Sequence, residues 1–210
     1  MDDLKKQNRY LIFAFVAINA FIFWCVWNGF YQYSGVEKWL DALKSFSAVG
    51  AVLVPLITIF INGLISAHWK SVLVFVRIKN PLPGSRAFTE VYKTDARIDR
   101  SALEAKLGEF PVDPDKQNAL WYGLYTKHQD KTQVLGAHKV WLLTRDLTGI
   151  SFLMILFLGG VMWLLSDIQG RIIALYILFL LAQCMVMQIV ANNYGNRFVT
   201  NVLSVESHSD

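Results

Sequence analysis

VLVPLITIFINGLISAH, residues 52–68, contains no Asp, Glu, Lys or Arg, and a long polar block begins immediately behind it. It belongs to the second of four apolar stretches, 10–31, 48–67, 150–166 and 172–191, none of which carries a charged side chain. A helix that crosses a bilayer needs about 20 largely uncharged residues, which each stretch approaches. The overall composition, 54% hydrophobic with a mean hydropathy of +0.37, is only slightly above the soluble range of about 45–50% apolar. The distribution decides more than the total. A soluble bundle built from these stretches would be apolar all round, with no face left for water. The sequence therefore predicts an all-α integral membrane protein, with four transmembrane helices and a small, mainly helical cytosolic domain between the second and third.

Charge sets the expected topology. Residues 1–9 hold Lys5, Lys6 and Arg9, the connector 32–46 holds only Lys38 and Lys44, and the block 70–146 holds 13 of the 20 Lys and Arg. The positive-inside rule then puts both termini and the polar block in the cytoplasm, in a bacterial inner membrane. The expected division is an N-terminal hairpin over 1–69, a cytosolic helical domain over 70–147, a C-terminal hairpin over 148–192 and a cytosolic tail over 193–210. The first stretch is no cleaved signal peptide: Trp24, Trp27, Phe30 and Tyr31 stand where a small-residue cleavage site would lie, and suit an aromatic belt instead. The two cysteines, Cys25 and Cys184, both lie within apolar stretches, which argues against a disulfide framework.

Two polar stripes run through the apolar segments. Ser47, Ala51, Pro55, Thr58, Asn62 and Ser66 recur three or four residues apart, which stacks them on one side of a helix. Gln188 and Asn192 continue a shorter stripe from Cys184. Small and hydroxyl residues let spanning helices approach closely, and Asn can hydrogen-bond across the contact. Helix packing is the first reading and a wet pore the second. Pro55 is expected to kink its helix. No ionisable side chain interrupts the spans, which counts against a proton relay.

Within the polar block, 71–80 extends the second helix or forms a short strand. Asn80-Pro-Leu-Pro-Gly84 then stops any helix: both prolines force extended backbone before them, and Gly84 permits a positive φ. Ser101-Ala-Leu-Glu104 matches a capping box and Gly108 a helix stop, while Asp113-Pro114 matches a cap followed by a first-turn proline. A further helix from about 133 to 145 runs toward the third span. The C-terminal segment from Asn192 reads as a helix exit, with 206–210 frayed. A core of about 75 residues is marginal, so help from a membrane, an oligomer or a partner is expected.

Chemistry is sparse. Neither a GxxxxGK[ST] phosphate loop nor a GxGxxG fingerprint occurs, and no HExxH or Cys/His cluster has metal-ligand spacing. No cofactor is expected. Arg77, Lys79, Arg86, Arg97 and Arg100 surround the proline turn and could grip an anion, with Glu90, Asp95 and Asp99 interleaved as ion-pair partners. Trp121, Tyr122 and Tyr125 offer an aromatic face for a partner or for packing, and His138 and Arg145 share one face of the next helix. Net charge of +4 suggests nucleic acid, but the interleaved acids and the positive-inside bias account for it without one. The expectation is a non-enzymatic, homo-oligomeric inner-membrane protein. Its contacts are the lipid bilayer and a cytosolic protein partner or signal, and it serves as sensor, anchor or effector, as in stress or anti-phage defence. A small channel or transporter subunit is the alternative, and a membrane-bound enzyme the third.

Overall fold

The computed structural model describes residues 2–32 and 35–209; the side chains of 2–7, 48 and 49 are excepted, so the side chains of Lys5 and Lys6 of the charge argument are not among those described. Among the described residues the regular structure is helical and no strand occurs. The α-helices are α1 (Asp2–Trp27), α2 (Val36–Leu64), α3 (Ala67–Phe75), α4 (Arg100–Leu107), α5 (Pro114–His128), α6 (Thr132–Met154), α7 (Gly160–Leu165) and α8 (Gly170–His208). Three helical stretches, Asn8–Trp27, Thr132–Leu165 and Gly170–His208, are long and apolar enough to cross a membrane. A fourth is reached if the two halves of α2, Val36–Ser47 and Gly50–Leu64, which meet at 61°, count as one span. That bend lies upstream of Pro55, the residue expected to cause one.

The chain divides into two compact units, unit 1 from Met1–Ser66 with Asp146–Met187, and unit 2 from Ala67–Arg145 with Gln188–Asp210. In unit 1, α1 packs on α2, with the rings of Phe21 and Phe46 edge to face at 5.4 Å. The Phe23 ring lies 6.3 Å from that of Tyr176 on α8. Between α6 and α7 the segment Ile155–Gly159 is π-helical, a local widening of the turn.

Unit 2 has its own apolar core. Leu103, Trp121, Leu124 and Val134 are buried together with Phe198, Val199, Val202 and Leu203 near the end of α8. This corrects the expected helix exit at Asn192 and the frayed end. Ala191, Phe198, Val202 and the neighbouring apolar residues recur at helical spacing and cover the core that α3 to α6 leave open. The end of α8 thus contributes to the core of unit 2.

Local signals account for the ends of the short helices. Asp113 caps α5 by accepting a hydrogen bond from the Lys116 amide, with Pro114 at the first helical position, as the sequence predicts. Gly108 ends α4 at φ 73°, where its missing Cβ matters. The start of α4 differs from expectation: Asp99 accepts from the Ala102 amide at 3.0 Å, and Ser101 is already inside the helix. Asp99 holds extended backbone one residue before the first helical turn, so its carboxylate reaches that amide. Gly84 does not use the positive φ that glycine permits. A Cβ there would come within 2.6 Å of Trp121 and of the Asn118 side-chain oxygen, so close approach explains the glycine.

Candidate functional site

The proline turn presents Arg86 from a 3₁₀ turn, Pro83–Arg86, that lies on α5. Arg86 is 8% exposed, and its guanidinium carbon stands 4.9 Å above the Phe75 ring. Its Nε faces Glu90 Oε2 at 3.3 Å, and Arg77 Nη2 approaches the same oxygen at 3.5 Å. Two guanidinium groups thus share one carboxylate. Burial first, and the neighbouring Arg77 second, lower the pKa of Arg86, with Glu90 acting in the other direction. The group stays a cation regardless, because guanidinium does not deprotonate in proteins.

Arg77, Arg86 and Glu90 line a pocket of about 260 Å³ whose far wall includes Asn192 and Asn196 of α8. Asn196 Nδ2 donates to Asn192 Oδ1 at 3.0 Å. Two buried atoms of these lining residues have no protein partner, Arg86 Nη1 as donor and Asn196 Oδ1 as acceptor. A buried polar atom left unsatisfied costs about 1–3 kcal/mol, and Trp121 Nε1 in the core of unit 2 is another such atom. Gly195, next to Asn196, is held against Phe75 and Trp141: an added Cβ would meet their rings at 2.7 and 2.9 Å.

The other predicted cations do not join this pocket. Arg97 forks onto Asp95, with Nε to Oδ1 at 3.0 Å and Nη2 to Oδ2 at 2.6 Å, and also donates to Asn201 Oδ1 at 2.9 Å. The side-chain hydrogen bonds from Arg97 outweigh burial and hold the Asp95 carboxyl well below its ordinary range. Arg100 pairs with Glu104 at 2.7 Å and lies over the Tyr92 ring. Lys79 is exposed, and Arg145 is half-buried on α6. The anion set read from the sequence thus separates, and only Arg77 and Arg86 converge.

The aromatic candidates divide between core and surface. Trp121 and Tyr125 are buried, and both turn an edge or face toward Phe198 at 5.1 and 5.3 Å. His138 stacks on the same ring at 4.7 Å, with its Nδ1 3.0 Å from the Tyr125 hydroxyl. Burial first, then the neighbouring Tyr122 and Asp130, raise the Tyr125 pKa, so the phenol stays protonated. Tyr122 is exposed.

The α2 stripe is only partly collected on one side. Thr58 is buried and donates to the Val54 carbonyl at 2.7 Å, Pro55 and Asn62 are half-buried, and Ser47 and Ala51 are exposed. Ser66 lies beyond the helix end, because Ile65 is extended. Gln188 has a defined task in unit 2: its Nε2 donates to the Leu73 carbonyl at 3.1 Å, near the open C-terminal end of α3.

Two features escaped the sequence reading. One is Glu206, which is buried and accepts from Lys127 at 2.9 and 3.0 Å and pairs with His128 Nε2. The other is a set of buried polar atoms in unit 1 without protein partners, Asn19 Oδ1, Ser151 Oγ and the Tyr176 hydroxyl. Asn19 and Tyr176 were visible as polar interruptions of apolar runs, whereas nothing local marks Glu206. Among the described residues no group of three His, Cys, Asp or Glu is placed to hold a metal ion. Comparison with protein-family models, with curated proteins and with solved structures gave no match.

Proposed function

We propose that the chain is a multi-pass protein of the bacterial inner membrane whose unit 2 is a cytosolic binding unit, serving as sensor or anchor and not as an enzyme. The four spans are α1, the bent α2, the α6–α7 run and α8, with both termini cytoplasmic. One observation carries the reading: unit 2, built round its own apolar core, keeps a pocket lined by Arg77, Arg86, Asn192 and Asn196. The one carboxylate in that pocket, Glu90, is engaged by two arginines, which suits holding a ligand better than transferring a proton. The charge bias of the flanking segments supports the cytoplasmic placement. Exposed apolar side chains on α2 and α8, such as Phe60 and Met185, are surface for lipid and for a second copy of the chain.

The channel reading keeps one observation in its favour, the buried unpartnered atoms of Asn19, Ser151 and Tyr176 among apolar helices. Such atoms in a membrane-embedded interior call for water or another polar occupant. The cytoplasmic placement of unit 2 is tested with reporter fusions. A reporter after Asp210 is expected to show cytoplasmic activity, and one inserted at Asp41 periplasmic activity. Signals of the opposite sense at both positions would overturn the topology and the cytosolic placement of unit 2 with it.

A further inference from the structure

We propose that the pocket walled by Trp27, Tyr31, Ser166 and Asp167, at one end of the unit 1 helices, binds an ammonium group that carries N–H donors, as an ethanolamine headgroup or a free primary amine does. All of its lining residues belong to unit 1. It encloses about 480 Å³, within the range of about 300–1,000 Å³ usual for small-ligand sites. The pocket lies where α1 ends at Trp27, where the α6–α7 run ends at Leu165 and where α8 begins at Gly170. Each of these three stretches is long and apolar enough to cross a membrane. Under the membrane reading the pocket therefore stands where hydrocarbon gives way to headgroups.

Its walls offer acceptors and rings but no cation. Asp167 is exposed and makes no ion pair with any described residue. Among the described residues no Lys or Arg lines the pocket, not even Arg171 on the first turn of α8. Asn28 Nδ2 donates to the Trp24 carbonyl at 2.9 Å; a carbonyl only accepts, so the amide orientation is fixed and Oδ1 is left to accept. Ser166 likewise commits its hydroxyl proton to the Met162 carbonyl, which leaves its oxygen lone pairs. Trp27, stacked on Phe23 at 5.6 Å, and Tyr31 add rings that are each 39% exposed. Of these five residues only Ser166 is half-buried and the rest are exposed, so a ligand reaches them. An unpaired carboxylate beside two accessible rings selects a cation over an anion. The neutral acceptors select one with N–H groups over a quaternary ammonium, which has none. Helix ends agree, since two C-termini meet one N-terminus here.

The site lies outside unit 2 and goes beyond the binding reading of that unit, and only its lipid source rests on the membrane reading. The two fail separately: reversed reporters would move the site to the other leaflet while leaving amine binding by the purified chain unaffected. The test is thermal unfolding of the full chain in a non-ionic detergent, followed by tryptophan fluorescence at neutral pH. Ethanolamine hydrochloride is titrated against tetramethylammonium chloride and sodium chloride at matched ionic strength. Ethanolammonium is expected to raise Tm in a saturable way, and tetramethylammonium to require several-fold higher concentration for the same shift. Asp167→Asn, at an exposed position between helices, is expected to raise the half-saturating concentration about tenfold or more while leaving the unliganded Tm near the parent value. Asp41→Asn removes another exposed carboxylate, outside the pocket, and is expected to change neither. A second arm compares phosphatidylcholine nanodiscs with and without phosphatidylethanolamine. Stabilisation by phosphatidylethanolamine, lost in Asp167→Asn, identifies a lipid headgroup. A shift with ethanolammonium in phosphatidylcholine discs, with none from phosphatidylethanolamine, identifies a soluble amine. Equal shifts by ethanolammonium and tetramethylammonium, no effect of either ethanolamine species beyond that of sodium chloride, shifts as large in Asp167→Asn as in the parent, or an equal loss in Asp41→Asn would overturn the site.

Discussion

Glu206 meets Lys127 and His128 through its carboxylate, while its backbone carbonyl accepts from Lys106, so one residue near the chain end ties α8 to α4 and α5. Burial by itself would raise its pKa, but the hydrogen bonds from His128 and Lys127 win and the carboxyl lies below its ordinary value. The folded state then holds this proton less readily than the unfolded chain does. The stabilisation is present in full above the unfolded value of about 4.3 and is lost as pH falls through and below it. Asp95, held down first by Arg97, acts in the same direction. Unit 2 is therefore expected to lose stability progressively from about pH 5 downward, as the unfolded chain takes up protons that these two folded-state carboxyls still hold off. Glu206→Gln should cost about 3 kcal/mol at pH 7, the order expected when one partner of a buried pair is removed, and should flatten the acid limb of the profile. Denaturant unfolding at pH 7 and pH 4 measures both. An acid limb as steep in the variant as in the parent would assign the loss to other groups.

Helix ends show how far local sequence reaches. Asp113-Pro114 is legible because cap and proline act within one turn, and α5 begins where they place it. At α4 the local pattern points to Ser101, and only the extended backbone of residue 99 shows that Asp99 is the cap instead. Asp99→Ala is expected to destabilise α4 by about 1 kcal/mol, and Ser101→Ala by a few tenths or less, since only the first removes a cap. Amide exchange at Ala102 and Leu103 distinguishes them, and equal protection loss in both variants would contradict the assignment. The role of the last helical turns was not legible, for a physical reason. Asn192 to Arg197 is polar in composition, yet Gly195 faces two rings, Asn196 faces the pocket and Phe198 fills the core. That pattern has meaning only once α3, α5 and α6 are in place around it. The converging arginines were legible as residue types but not as a site: Arg86, Arg97 and Arg100 each find an acidic partner within four residues, and only the pocket wall from α8, far along the chain, sets Arg86 apart.

At the scale of the whole molecule, the regular structure of the described residues is all helical, with three, or with α2 four, helices long and apolar enough for a bilayer. The binding and channel readings separate at Asn19, which is buried, donates to the Phe15 carbonyl at 2.9 Å and leaves its oxygen unpartnered. Under the binding reading, Asn19→Leu leaves ion leakage through reconstituted vesicles at background, as in the parent. Leakage in the parent that the substitution abolishes would favour the channel instead. The cytosolic placement of unit 2 is the central claim, and Thr94, exposed at the rim of the Arg86 pocket, is the place to read it. In a chain with Cys25 and Cys184 replaced by serine and Thr94→Cys added, a membrane-impermeant maleimide is applied to intact spheroplasts and to inverted inner-membrane vesicles. The account predicts labelling in the inverted vesicles and none in the spheroplasts; labelling in the spheroplasts with protection in the vesicles would contradict it.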